Sequence, residues 1–195
     1  MTADICGVSL EEIKDILKIR LSKKRYTHSL NVSDAAVRLA ERYGGDKEKC
    51  RLAGLVHDIC KEIPNEEQLV MGKKSIVPLS SVEEKIPALY HAAAGAWYIE
   101  HVLHISDEDV LMAVRYHTAA RAGMSKTEEI IYLADLISED RSYKDVARMR
   151  KLAFEDIDKA MLEALRFSIS DVLAKGSLIP ESTTQAYNTY AEKSR

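Results

Sequence analysis

Helix start and stop signals recur along the whole chain, and they constrain the fold more than any other feature. Four stretches fit the capping box, in which a Ser side chain and a carboxylate or amide three residues later satisfy each other's backbone donors. These stretches begin at Ser9, Ser81, Ser125 and Ser182. Gly and Pro punctuate the intervals between helical patterns, and alternating stretches typical of strands are almost absent. The pattern therefore predicts an all-α fold.

The spacing of these signals predicts helices at residues 9–22, 26–43, 47–60, 65–73, 88–103, 107–118, 126–138, 143–154, 156–175 and 182–193. No internal repeat, low-complexity stretch or long linker separates them. A chain of 195 residues is long enough for a well-buried core. We therefore expect residues 1–195 to form a single domain. The longest irregular segment, 72–87, is a candidate lid.

Charge and cysteine content narrow the class of protein. The formal net charge of −3 creates no overall attraction to nucleic acid or to an anionic membrane. Three cysteines, Cys6, Cys50 and Cys60, form no C-x-x-C pair, which favours free thiols in a reducing compartment. The chain shows no secretory pattern and no apolar run near the ~20 residues of a membrane helix. We expect a cytoplasmic protein that binds neither nucleic acid nor membranes, with a homodimer left open.

Histidines and carboxylates fall on the apolar faces of several predicted helices. They are His28, the adjacent pair His57 and Asp58, His91, His117 and Asp135. A buried carboxylate without a partner is costly, and converging imidazoles and carboxylates remove that cost most simply by binding a cation. A single histidine on an apolar face is more often a satisfied core residue than a ligand, and Asp135 alone could cap a neighbouring helix. The spacing thus allows a metal site but does not establish one.

Longer motifs resemble a known family. "RYTHSLNV" (25–32), "AGLVHDICK" (53–61), "HAAAGA" (91–96), "RYHTAARAGMS" (115–125) and "IIYLADLISEDR" (130–141) resemble, in order and spacing, the HD superfamily of metal-dependent phosphohydrolases. Within it they resemble the YqeK-like branch, the symmetrical bis(5′-nucleosyl)-tetraphosphatases. The resemblance covers nearly the whole chain and implies an HD-type helical bundle.

The resemblance implies a first metal site at His28, His57, Asp58 and Asp135. Two imidazoles and two carboxylates suit a divalent transition metal, for which we expect iron first, with manganese, zinc, cobalt or nickel as alternatives. The resemblance also implies that His91 and His117 either ligate a second metal, with Asp58 bridging, or bind a phosphate. Asp58, Lys61 and Arg141 are the expected catalytic residues.

A polyphosphate substrate needs cations to offset its charge. The residues near the motifs that could contact substrate are Arg25, Ser29, Lys61, Thr118, Arg121 and Arg141. Each cation is alternatively a solvated surface residue. Glu139 and Asp140, between Asp135 and Arg141, read as a solvated pair.

The expected activity is hydrolysis of diadenosine tetraphosphate into two molecules of ADP, as the resemblance implies. One alternative is another HD phosphohydrolase, acting on nucleoside mono- or triphosphates, cyclic nucleotides or guanosine polyphosphates. The other is a nucleotide-sensing module that binds without turnover.

Overall fold

The computed structural model of the protein describes residues 4–5 and 8–195. In that part of the chain, ten α-helices follow one two-stranded antiparallel ribbon, in which β1 (Asp4–Ile5) pairs with β2 (Val8–Ser9). The helices are α1 (Leu10–Arg20), α2 (Lys23–Tyr43), α3 (Lys47–Val56), α4 (Asn65–Gly72), α5 (Tyr90–His101), α6 (Glu108–Tyr116), α7 (Lys126–Ile137), α8 (Val146–Glu155), α9 (Ile157–Ala174) and α10 (Glu181–Lys193). The all-α prediction is confirmed.

The predicted helix positions hold, and the main difference in length has a local cause. Helix α3 ends at Val56 rather than near residue 60, because the chain then makes successive tight turns closed by hydrogen bonds from Ile59 N to Val56 O and from Lys61 N to Asp58 O. Those turns place two motif residues, His57 and Asp58, at the end of the helix.

Two of the four predicted capping boxes form as expected, at Ser9 and Ser125. The third lies one residue earlier than predicted, since Ser80 exchanges hydrogen bonds with Glu83. The prediction at Ser182 is wrong. Pro180 takes the N-cap position there, and α10 begins immediately after it.

Helix α7 lies at the centre of the packing. It contacts α2, α3, α6, α8 and α9, and its apolar residues Ile130, Ile131, Leu133 and Ala134 are fully buried. A helix that is apolar on all sides is typical of a buried position. Helices α2, α3, α5 and α6 pack around the same region, which brings the faces that carry the predicted ligands together.

Helices α2 and α3 approach each other so closely that their backbones nearly touch. A Cβ atom on Gly54 would lie 2.7 Å from Ser33 Cα and 2.9 Å from Ser33 N. Real Cβ atoms do not approach backbone atoms this closely, so the crossing requires glycine. The hydroxyl of Ser33 also donates to Arg51 O at 2.9 Å, which fixes the register of the two helices.

The segment 72–87, the candidate lid, is anchored to α6 by one buried side chain. Arg115 is 2% exposed. Its guanidinium donates to Val77 O at 2.7 Å and to Pro78 O at 3.3 Å, and both its terminal nitrogens reach the Glu83 carboxylate at 2.9–3.0 Å. The segment is therefore tied to the helical core at several points along its length.

The two described cysteines, Cys50 and Cys60, are buried free thiols. Burial raises the pKa of each to about 12, so both are inert thiols rather than nucleophiles. Cys6 lies outside the described residues. Within residues 4–5 and 8–195, none of the helices combines the length and the apolar character needed to cross a bilayer.

Candidate metal centre

The predicted ligands converge on one site from five helices. His28 lies on α2, His91 on α5 and Asp135 on α7, while His57 with Asp58 and His117 directly follow the last turns of α3 and α6. The four histidines and Asp58 are each 3% exposed or less. The side chain of Asp135 is 21% exposed, so it forms the rim of the cluster.

Asp58 stands at the middle of the cluster, and its two oxygens face different histidines. Asp58 Oδ1 lies 3.3 Å from His91 Nε2 and 3.7 Å from His117 Nε2. Asp58 Oδ2 lies 3.4 Å from His57 Nε2 and 3.9 Å from His28 Nε2. The carboxylate thus has the position of a bridging ligand between two histidine pairs.

Backbone carbonyls fix two of the imidazole tautomers. The Nδ1–H of His57 donates to Gly54 O at 2.8 Å, and the Nδ1–H of His117 donates to Val114 O at 2.8 Å. Because a carbonyl only accepts, the proton of the neutral ring must lie on Nδ1 and the lone pair on Nε2. In both residues Nε2 is the atom that faces the cluster, as is typical of metal ligands whose other nitrogen is held by the protein.

His28 is oriented in the same way by a carboxylate. Its Nδ1 lies 2.8 Å from Asp140 Oδ2, and Asp140 Oδ1 accepts from Asn31 Nδ2 at 3.1 Å. The Glu139–Asp140 pair is exposed as predicted, but the prediction did not include the contact of Asp140 with His28. Sequence reasoning missed this contact because it joins residues 112 positions apart, and no local pattern marks it.

Two of the four imidazole nitrogens that face the cluster are left without hydrogen bonds, whereas Nε2 of His91 and Nε2 of His117 lie 3.1 Å from each other. Both His28 Nε2 and His57 Nε2 are buried and unpartnered. His28 Nε2 lies 2.9 Å from Asp135 Oδ1, but without the alignment of a hydrogen bond. An imidazole lone pair and a carboxylate oxygen are both acceptors, so a cation between them would satisfy both groups.

The arrangement and the chemistry of the donors fit a divalent metal. Two sets of three residues each offer ligand atoms within 4.8 Å of one another, namely His28, His57 and Asp58, and Asp58, His91 and His117. All are nitrogen or oxygen donors, which suit divalent transition ions.

The protonation states of the cluster are mostly those that metal binding needs. Burial would raise the pKa of Asp58, but the nearby imidazoles, His57 first, hold it well below its usual range. Burial lowers the pKa of both His91 and His117. Burial also acts to lower the pKa of His57, but the Asp58 carboxylate more than reverses this, and a bound cation would compete with that proton.

Three of the four predicted cations reach the ligand set. Arg25 Nη1 lies 2.6 Å from Asp58 Oδ2, and the guanidinium of Arg141 binds both the carboxylate and the backbone carbonyl of Asp135. Lys61 Nζ lies 3.1 Å from His91 Nε2, and burial lowers the pKa of this lysine. The site therefore combines metal-type ligands with cations suited to an anionic substrate.

The other predicted substrate residues have different surroundings. The structure does not bring Arg121 to the cluster, because both its Nε and Nη2 bind the buried Glu128 carboxylate at 2.9 Å. Ser29 is fully buried beside His28, and its hydroxyl has no partner. Thr118 follows His117 directly, is half-buried, and also has an unpartnered hydroxyl.

Comparison with known proteins places this chain among proteins described as HD-domain hydrolases. Residues 25–140 match the family described as "HD domain". The symmetrical bis(5′-nucleosyl)-tetraphosphatase of Bacillus subtilis (strain 168) is 34% identical over 91% of this chain and 95% of its own length. The protein of the same description from Staphylococcus aureus is 35% identical over 94% and 95%. A crystal structure from Clostridium acetobutylicum, described as a predicted HD superfamily hydrolase involved in NAD metabolism, superposes with a TM-score of 0.91 at 40% identity, covering 95% of this chain and 98% of that one.

Proposed function

This chain belongs to the HD-domain family, and we propose that it is a metal-dependent hydrolase that cleaves dinucleoside tetraphosphates symmetrically, so that diadenosine tetraphosphate gives two ADP. One observation carries the proposal of a catalytic metal centre: the two oxygens of Asp58 face two separate histidine pairs. The near full-length similarity to symmetrical bis(5′-nucleosyl)-tetraphosphatases supports the choice of substrate.

The first ion would be held by His28, His57, Asp58 and Asp135. The fixed Nδ1 protons of His28 and His57 support this role, since they leave Nε2 free as a ligand. We propose iron as the resident ion, with manganese, zinc, cobalt or nickel as alternatives that the same donors accept. Elemental analysis of protein purified without added metal tests this choice.

A second ion would lie between Asp58, His91 and His117. The bridging position of Asp58 and the fixed tautomer of His117 support it. Metal titration of stripped protein distinguishes this role from phosphate binding. Two equivalents bound per chain support a second ion, whereas one equivalent leaves His91 and His117 as phosphate donors.

A divalent ion bound at this site lowers the pKa of water and withdraws charge from a phosphate oxygen. Side chains of the protein supply the positive charge that a polyphosphate substrate needs. Arg25, Lys61 and Arg141 surround the ligand set with positive charge, and guanidinium groups bind phosphate oxygens through paired N–H donors. These cations would grip the polyphosphate and stabilise the charge that develops on it during hydrolysis. The partly exposed Asp135 and Arg141 leave one side of the cluster open to substrate.

Symmetrical cleavage places a specific demand on the site. Water must attack the second phosphorus counted from a bound nucleoside, so one nucleoside diphosphate half must be held in a fixed position. The three cations and the metal ligands act on the two phosphates of that half. The other half needs only to occupy the open side of the site.

Product analysis tests the function directly. Metal-loaded protein is incubated with diadenosine tetraphosphate, and the products are separated by chromatography. ADP as the only product supports the proposal, whereas equimolar AMP and ATP would overturn the symmetrical assignment. Turnover of a mononucleotide, a cyclic nucleotide or a guanosine polyphosphate without turnover of the dinucleotide would favour another HD phosphohydrolase, and binding without any turnover would favour a sensing module.

The Arg141→Ala variant tests the phosphate role. We expect lower turnover or weaker substrate binding with the metal content unchanged. A control is Arg121→Ala, because Arg121 is engaged by Glu128 and does not contact the cluster. Equal kinetics for both variants would show that Arg141 does not bind the phosphates.

A further inference from the structure

A four-residue turn, 138–141, follows α7 and carries two side chains that act at the metal centre. Asp140 accepts the Nδ1 proton of His28 at 2.8 Å, and Arg141 binds the carboxylate and the backbone carbonyl of Asp135. The first carbonyl of the turn accepts from its last N–H at 3.0 Å. Asp140 is exposed, so burial does not hold it in place. The position of both side chains therefore depends on what fixes the backbone of this turn.

Arg150, on α8, gathers the carbonyl oxygens of the turn. Its Nη2 lies 2.7 Å from Ser138 O, 2.9 Å from Arg141 O and 3.2 Å from Glu139 O. Its Nε donates to Ile137 O, the last carbonyl of α7, at 2.9 Å. One guanidinium group thus contacts four backbone carbonyls from a segment of five residues.

The convergence of these carbonyls requires a cation. Three oxygens lie within 3.2 Å of one nitrogen, and carbonyl dipoles that point at the same place repel each other unless positive charge lies between them. Ile137 and Ser138 are buried, where an unpaired carbonyl is costly. Without Arg150, the turn should change its conformation rather than leave these oxygens unpaired.

The turn has room for such a change. A cavity of about 430 Å³ adjoins it, and Glu139 and Arg150 are among the residues that line this cavity. Asn31, which donates to the carboxylate of Asp140 at 3.1 Å, lines it as well. Movement of the backbone at Glu139 is therefore not prevented by close packing on this side, and it would displace the adjacent Asp140.

We propose that Arg150 is a positioning residue of the metal centre. Through the backbone of the turn 138–141, it holds the carboxylate of Asp140 against His28. It also keeps Arg141 beside the ligand set. This inference rests on the proposed function, and it adds to the site a residue that is not itself a ligand.

A purely structural role makes a different prediction. Cations often bind the last carbonyls of a helix, and such a cap stabilises the helix without further function. If Arg150 were only the cap of α7, its loss would lower the stability of the protein. Metal affinity of the folded protein would then be unchanged.

The first test measures metal binding without turnover. Mn²⁺ is titrated by calorimetry into chelator-stripped Arg150→Met, which loses the donors and keeps an apolar stem. We expect affinity to fall between about threefold and tenfold, because loss of a group that orients a metal ligand costs about tenfold or more and Arg150 acts one step further away. The matched control is Arg148→Met, since Arg148 lies on the same helix, is 66% exposed and contacts Glu163 on α9. The control should leave affinity unchanged, and thermal unfolding of each apo-protein shows whether the fold is retained.

The conservative variant Arg150→Lys separates the donors from the packing of the side chain. A lysine ammonium has three donors for the three carbonyls that converge on Nη2. We expect Arg150→Lys to lose clearly less Mn²⁺ affinity than Arg150→Met. Equal losses for both variants would refute the role of the donors.

A double variant shows whether Arg150 acts through Asp140. Arg150→Met combined with Asp140→Ala should bind Mn²⁺ no more weakly than Asp140→Ala alone, because the carboxylate to be positioned is already absent. Losses that multiply would mean independent effects and would overturn the proposal, as would unchanged affinity in a folded Arg150→Met protein.

Should Arg150→Met not fold, Arg150→Gln takes its place in the same cycle, since it keeps an amide donor. The same two outcomes then decide. Because Mn²⁺ binding is measured without substrate, failure of the positioning role is distinct from failure of the proposed hydrolysis, which product analysis reports.

Discussion

Removing the carboxylate of Asp140 should weaken metal binding although Asp140 is not itself a proposed ligand. Its Oδ2 holds the Nδ1 proton of His28 at 2.8 Å and so directs the Nε2 lone pair into the cluster. In the Asp140→Ala variant, the ring of His28 can rotate or change its tautomer, and either change removes a ligand atom from its position.

The expected size of this effect follows from the exposure of Asp140. Loss of a partner that orients a metal ligand typically costs about 10–100-fold in affinity, or about 1.4–2.8 kcal/mol. The side chain of Asp140 is 34% exposed, so solvent screens part of its charge. We therefore expect the lower end of the range, about tenfold. Asp140→Asn should lose less than Asp140→Ala, because an amide oxygen can still accept from His28.

The assay is calorimetric titration of Mn²⁺ into protein stripped by a chelator. Glu139→Ala is the matched control, since Glu139 is the exposed neighbour and its side chain makes no hydrogen bond in the described part of the chain. Thermal unfolding of each apo-protein shows whether the fold is retained. Equal affinities for Asp140→Ala and Glu139→Ala would refute the reasoning, because orientation of His28 would then not depend on this carboxylate.

Three further predictions follow from the same structure. His57→Ala should abolish hydrolysis and lower the metal retained through purification, and elemental analysis showing full occupancy would remove His57 from the ligand set. Arg115→Met should destabilise the protein by about 3–5 kcal/mol in urea unfolding, because it leaves the Glu83 carboxylate buried without its cation; an unchanged midpoint would show that water or another group compensates. The pH dependence of stability should also depend on this pair. Burial acts to raise the pKa of Glu83, but the hydrogen bonds from Arg115 outweigh it and hold the pKa below its ordinary 4.5. The ion pair therefore stabilises the protein above that pH, and the stabilisation is lost as the pH falls below it. Glu83→Gln should show a flatter loss of stability between about pH 5 and pH 3, and a slope equal to that of the unchanged protein would contradict the assignment.

The helices and the positions of the candidate ligands along them could be predicted because they depend on local patterns. A capping residue and its partner lie within one turn of chain, and the motifs place His57 and Asp58 beside each other regardless of the distant fold. Arg25 is part of the same motif as His28, and in the structure it lies close to the cluster, where it contacts Asp58.

The contacts that could not be predicted join distant parts of the chain. Asp140 reaches His28 across 112 positions, and Arg115 reaches Glu83 across 32. Arg121 is a predicted substrate contact that the structure does not bring to the cluster. Its charge suits a phosphate as well as that of Arg141 does, but the buried Glu128 engages it, and a sequence pattern does not show which carboxylate a cation will choose.

The close crossing of α2 and α3 at Gly54 links the packing of these two helices to the orientation of His57. The missing side chain of Gly54 lets α3 lie against the backbone of α2, and its carbonyl oxygen fixes the proton on His57. During divergence, a change at this position would alter the packing and the ligand in one step. We therefore expect a bulkier residue at this position to push α2 and α3 apart and to move the carbonyl oxygen away from Nδ1 of His57.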